Sequence, residues 1–378
     1  MNPWDAWDTL RRKETLTVCG IMSGTSADGI DVAVVEFKGG LDDLKHKVVR
    51  TGTGAYTEAT QALVKQAPNL TAAEVSLLNR VVALEFAQAA QETGLQGVDL
   101  IASHGQTVYH HSGQTSVKSS LQVGCGDTLA VELGLPVIHN FRTADVARGG
   151  EGAPLTPASD FYLHRHLVGE GGVLVNLGGI ANVTVFGSTL AKTRGFDTGP
   201  ANCVIDRLVR IMTGGKEKYD EDGLRAARGK VDKALLQELI ARDLFVLLSP
   251  PKSTGFEAYG DTFVDHLLTT CRPPDDNLLA TLTAYSAECL AISLRFVPEV
   301  RSLVLAGGGA KNDFLVAQIK ERTGLPASLL GDFGVPSDSR EAIGFALFGY
   351  LFARGQAMEM KEITGATSPG ILGQLSLS

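Results

Sequence analysis

Cysteine is scarce in this chain. Cys19, Cys125, Cys203, Cys271 and Cys289 are odd in number, widely spaced and free of any C-x-x-C, so neither a disulfide framework nor a zinc knuckle is signalled, and reduced thiols in a cytoplasmic protein are expected. Positive charge is in deficit. With 34 Lys and Arg against 42 Asp and Glu the formal charge is −8, and no basic run of footprint size occurs, which argues against nucleic acid or an anionic membrane as partner. Residues 1 to 13 hold charges and two Trp but no apolar stretch of seven, so neither a signal peptide nor a membrane span is expected there, only a loose extension. The two familiar phosphate patterns, G-x-x-x-x-G-K-[ST] and G-x-G-x-x-G, are missing as well.

What remains is a globular chain of 378 residues, 44% hydrophobic and 20% charged, long enough for two lobes with separate cores. Leu16 to Cys19 and Val32 to Phe37 have strand patterns, and between them lie Gly24, Thr25, Ser26, Ala27, Asp28, Gly29, Ile30 and Asp31. Glycines, hydroxyls and free N–H groups in such a turn suit phosphate oxygens. The carboxylates of Asp28 and Asp31 would repel a bare phosphate, so a divalent cation or a sugar hydroxyl is expected beside them. An ordinary hairpin turn has the same composition. The design recurs at Gly172 to Phe186, where Gly178 and Gly179 separate two strand patterns.

Between the hairpins, a capping box at Thr71 to Glu74 starts a helix that ends at Gly94, and a buried strand over Val98 to Ser103 delivers His104 to Thr107 at its end. His104 is either a satisfied structural residue or part of a site. Asn140 to Pro154, with Arg142 and Arg148 among glycines, is expected as a hinge or cleft loop and a plausible anion clamp. Later, Asp197 precedes Gly199-Pro200 and a helical pattern, so it is either a helix cap or a base presented at a cleft. Residues 216 to 275 look like a surface insertion. Leu303 to Ala306 leads through Gly307, Gly308 and Gly309 to a helix from Asp313, an arrangement suited to contacting a nucleotide. A final helix follows Glu341, and the tail from Thr364 looks disordered.

Two glycine hairpins, an Asp before a helix, a triple-glycine loop and two small-residue helices, in this order, resemble the actin-like ATPase and sugar kinase superfamily. Within it, Met22 to Asp31, Ser103 to Thr107, Asn176 to Asn182, Phe196 to Pro200 and Pro251 to Gly255 resemble the anhydro-N-acetylmuramic acid kinase family, over roughly residues 16 to 373. The resemblance implies an α/β fold of two ribonuclease-H-like lobes around a central nucleotide cleft, with lobe I at 15–147 and lobe II at 148–378. It implies an enzyme of peptidoglycan recycling that uses ATP, Mg2+ and water to open the 1,6-anhydro sugar and phosphorylate O6. By motif, Gly24 to Asp31, Gly178, Gly179 and Gly307 to Gly309 would hold ATP, with Asp28 on the metal, directly or through water. Asp197 would be the base, and His104, Arg142, Asn182 and Glu341 would meet the sugar. A homodimer is expected on the same ground. Another sugar or acetate kinase of the superfamily, or an ATP-switched binding module, are the alternatives.

Overall fold

The computed structural model describes residues 2–24, 27, 29–111, 117–169, 171–250, 252–270, 273–297 and 300–378. The chain forms two compact units, Met1–His164 with Asp338–Ser378, and Arg165–Ser337. Residues 148–164, expected in the second lobe, thus pack in the first unit, and so does the C-terminal segment.

In the first unit, β1 (Thr15–Ser23), β2 (Ile30–Lys38) and β3 (Lys45–Gly54) form an antiparallel meander. To the other side of β1 are added β4 (Leu100–His111) and β6 (Val137–His139), both parallel. β5 (Ser119–Val123) folds back on β4, and β12 (Gln374–Ser376) closes the edge antiparallel to β6. β1 is buried along most of its length because helices cover both faces, whereas β3 alternates half-buried and exposed residues as an edge strand should. Helix Ala72–Thr93 has the expected capping box and packs Leu78, Val82 and Phe86 into a core with Ile21, Ile30 and Val32. On the opposite face lies helix Arg340–Ala353, which approaches so closely that a Cβ at Gly20 would sit 2.0 Å from the Ala342 carbonyl oxygen. Arg340 anchors this helix through a buried pair with Asp160, 2.6 Å to each carboxylate oxygen.

The second unit repeats the plan. β7 (Gly172–Leu177), β8 (Ile180–Val185) and β9 (Arg194–Pro200) are antiparallel neighbours, and β10 (Ser302–Ala306) and β11 (Ala327–Leu329) add parallel beyond β7. Both sheets therefore share one order and one set of strand directions, the ribonuclease-H-like pattern. The core gathers Val175, Phe196, Val204 and Leu208 with helix Asp276–Leu294. That helix is long and apolar enough to cross a membrane, but it is buried within this unit.

Several expectations need correction. β4 does not stop at Ser103; antiparallel pairing with β5 carries it to His111, so His104 to Thr107 lie inside the strand. Residues 216 to 275 are no surface insertion, since Leu235, Leu239, Val246, Tyr259 and Val264 join the core. The N-terminal segment forms helix Pro3–Leu10, with Trp7 buried against Phe352 and the Arg354 guanidinium donating to the carbonyls of Arg11, Lys13 and Glu14. The tail is ordered too, because it supplies β12.

Candidate functional site

In the first hairpin, Ser23 Oγ donates to the Gly29 carbonyl at 2.8 Å, and Ala27 N–H to the Gly24 carbonyl at 3.1 Å. Among the described residues of this turn Ala27 is left-handed, with φ 51°. Thr25, Ser26 and Asp28 lie outside the described residues. Ile30 is buried and Asp31 half-buried, where β2 leaves the turn, paired with Met22 and Thr53 on its neighbours. Gln106, fully buried on β4, donates to the Gly24 carbonyl at 3.1 Å and accepts from Tyr56 Oη at 3.0 Å. It is a brace for the turn that motif reasoning missed, although it stands two residues after His104. The donors here are oxygens, which suits a hard cation. Among the described residues no cluster of three His, Cys, Asp or Glu forms a protein cage, so a bound Mg2+ would draw most ligands from phosphate and water.

His104 and Arg142 meet in the first unit. Arg142 Nε donates to His104 Nε2 at 2.9 Å and Nη1 to the Gly152 carbonyl at 2.9 Å. The imidazole therefore accepts through Nε2 and is neutral; burial first, and the adjacent guanidinium second, hold it well below the usual histidine range. Desolvation pulls Arg142 down to about 10, opposed by the carboxylates of Glu341 and Asp145, so Glu341 completes this group electrostatically. Arg142 stands in helix Phe141–Val146, and Arg148 Nη1 donates to the Ala144 carbonyl. Beside His104 opens a polar cavity of about 610 Å3, lined among others by Ser103, Gln122, Asp127, His139 and Ser376. Ser103 Oγ and Gln122 Oε1 are buried with no hydrogen-bond partner among the described residues. Buried polar atoms left in this state are rare without a ligand or water to satisfy them.

The second unit brings the other predicted residues together. Asn176, Asn182 and Asp197 stand in one cross-strand row over β7, β8 and β9, just beyond a register shift at Ala181. Residues paired in a row present side chains to the same face. Asp197 is half-buried; its Oδ2 accepts from Ser253 Oγ at 2.8 Å and Thr254 N–H at 2.9 Å, and its own N–H donates to the Lys252 carbonyl at 3.1 Å. It is not a helix cap: β9 runs through Pro200, the helix starts at Asn202, and the capping position Ala201 has no side-chain bond. Gly178 and Gly179 instead accept from the N–H groups of Ala201, Asn202 and Cys203. Gly307 is left-handed at φ 83°, and a Cβ there would sit 2.8 Å from Asn176 Oδ1; one at Gly309 would sit 2.9 Å from Asn202 Oδ1. Gly308 is exposed. The second hairpin, the triple-glycine loop and Asp197 thus share one corner of the unit. Asn182, expected with the sugar-contacting group, sits beside Asp197. Ser253 and Thr254 belong to a motif that the sequence had flagged without giving either residue a role.

Comparison with known proteins gives a family model described as anhydro-N-acetylmuramic acid kinase, matching residues 16–377. A protein of that name from Synechococcus elongatus is 37% identical over 95% of this chain and 99% of its own length. One from Caldanaerobacter subterraneus subsp. tengcongensis is also 37% identical, over 97% of this chain and 98% of its own. The protein of the same name from Francisella tularensis subsp. novicida is 35% identical over 94% and 97%.

Proposed function

Because the chain belongs to the anhydro-N-acetylmuramic acid kinase family, a family of phosphotransferases, we propose that Asp197 is the base that activates water against the anhydro sugar. The observation that carries this is the holding of its half-buried carboxylate by Ser253 Oγ and Thr254 N–H, which both donate to Oδ2. In a 1,6-anhydro sugar O6 is bonded to C1, so no hydroxyl is available there for ATP. Asp197 takes a proton from water as the water oxygen bonds to C1; the C1–O6 bond breaks, and O6 leaves with its electron pair and accepts the γ-phosphoryl group of ATP. The products are the 6-phosphorylated amino sugar and ADP. Positioning dominates phosphoryl transfer, which suits glycine loops with few additional catalytic side chains.

Gly24 to Asp31 and Gly178-Gly179 hold the ATP phosphates, and Gly307 to Gly309 the nucleoside. Mg2+, held by Asp28 directly or through water, would neutralise charge on the transferred group. His104, Arg142 and Glu341 contact the sugar, with Asn182 beside the base. The polar lining of the cavity beside His104 supports a ligand rich in hydroxyl and amide groups. The enzyme acts in the cytoplasm, in peptidoglycan recycling, as a homodimer. Incubation with the anhydro sugar, ATP and Mg2+, beside free hexoses and acetate, tests the activity. ADP formation is expected with the anhydro sugar alone; a sugar-independent ATPase would instead mark a switched binding module.

A further inference from the structure

Lys252 is only 8% exposed, and among the described residues its ammonium donates to three uncharged acceptors: the carbonyls of Val246 at 2.9 Å and Phe245 at 3.3 Å, and Ser293 Oγ at 3.1 Å. The rings of Phe245 and Phe296 lie 4.8 and 5.6 Å away. Burying an ammonium is costly unless its charge is used, and a methionine of similar length would fill the same space without that cost. Packing therefore does not account for the charge.

Its connections lead to β9. Ser293 Oγ, which accepts from Lys252, donates in turn to the Thr198 carbonyl at 3.3 Å. The Lys252 carbonyl accepts from Asp197 N–H at 3.1 Å, and the next two residues hold the Asp197 carboxylate. Lys252 is thus joined to position 197 directly by its carbonyl and to position 198 through Ser293 by its ammonium. We propose that Lys252 is a positioning residue for the base, clamping β9 and the 252–254 segment together so that Ser253 and Thr254 keep the Asp197 carboxylate in place. This rests on Asp197 being the base.

Among the described residues, Asp243, Cys289 and Asp197 are the titratable groups that act on the ammonium. Asp243 faces it from the turn before Phe245, but its carboxylate is taken by Tyr259 Oη, Tyr285 Oη and Val246 N–H. Cys289 faces it from helix Asp276–Leu294, and burial keeps that thiol protonated. Asp197 is the remaining acid. Burial lowers the lysine, while the charges of Asp243 and Asp197 act to raise it.

The test compares Lys252→Met, Lys252→Gln and Asp197→Asn with the parent in kcat, KM for ATP and sugar, and melting temperature. A neutral residue at 252 should lower kcat roughly 10- to 100-fold with KM for ATP nearly unchanged. Lys252→Gln carries the same expectation if the methionine variant does not fold. An unchanged kcat, or a loss matched by weakened ATP binding or by a lowered melting temperature, overturns the proposal. If Asp197→Asn is inactive while the Lys252 variants behave normally, only the role of Lys252 falls. An active Asp197→Asn removes the base assignment and the role of Lys252 with it.

Discussion

Asp197→Asn separates chemistry from architecture unusually well at this site. The asparagine carbonyl can accept both bonds now made to Oδ2, from Ser253 Oγ and Thr254 N–H, and the backbone bond to Lys252 does not involve the side chain. Weakening two charge-assisted bonds to neutral ones costs about 1 kcal/mol or less on a half-buried group, so the melting temperature and ATP affinity should stay near those of the parent. Loss of a general base costs about 100- to 10,000-fold, or roughly 3 to 5 kcal/mol of barrier, and more if water attack and phosphoryl transfer are coupled. ADP release in the presence of anhydro sugar and Mg2+ measures the rate, with thermal unfolding as the control. A variant retaining more than about a tenth of the rate would refute the assignment. The carboxylate of Asp28 or Asp31 would then be the next candidate, distinguished by a simultaneous loss of nucleotide binding.

Ser253→Ala removes one of the two bonds on Oδ2 at an exposed position; kcat should fall about 3- to 10-fold with KM for ATP unchanged, by the same ADP assay. Gly20→Ala would drive a methyl group to 2.0 Å from the Ala342 carbonyl, and the overpacking should cost about 3 kcal/mol or more, seen as a lowered urea midpoint or insoluble expression. His104, held neutral by burial and by Arg142, binds no proton in the folded state where the unfolded chain does. Stability therefore falls as pH drops below about 6.5, by up to about 1.4 kcal/mol per pH unit until the depressed folded value is reached. Urea titrations at pH 7.5 and 5.5 should show this loss, and His104→Gln should reduce it.

Both hairpins were legible in the sequence because a glycine turn between two apolar β runs is a local pattern. The capping box at Thr71 is equally local, and the structure reproduces it. Partnership across distance was not legible. β4 runs eight residues past Ser103 only because β5 pairs with it, and β12 is three residues long and ordered only because β6 waits at the sheet edge. Neither segment has a periodicity that declares a strand alone. Arg340 and Asp160 are 180 positions apart, so nothing in the sequence pairs them. In the candidate site, Asp197 stood out from its glycine-proline surroundings. The helix-cap alternative could be discarded only once β9 was seen to continue through Pro200.

The second unit is one uninterrupted segment, Arg165–Ser337, whereas the first is assembled from both ends of the chain. During synthesis this imposes an order. The second unit has all its strands and its central helix once Ser337 has left the ribosome, while β1 still lacks helix Arg340–Ala353 and β6 still lacks β12. The nascent first unit must therefore wait, with the side of β1 at Gly20 uncovered, for the last forty or so residues. A stop codon near position 337 should yield a chain whose second unit resists protease while its first is digested. The length of that wait, set by translation speed, is when the protein is most exposed to aggregation and to chaperones.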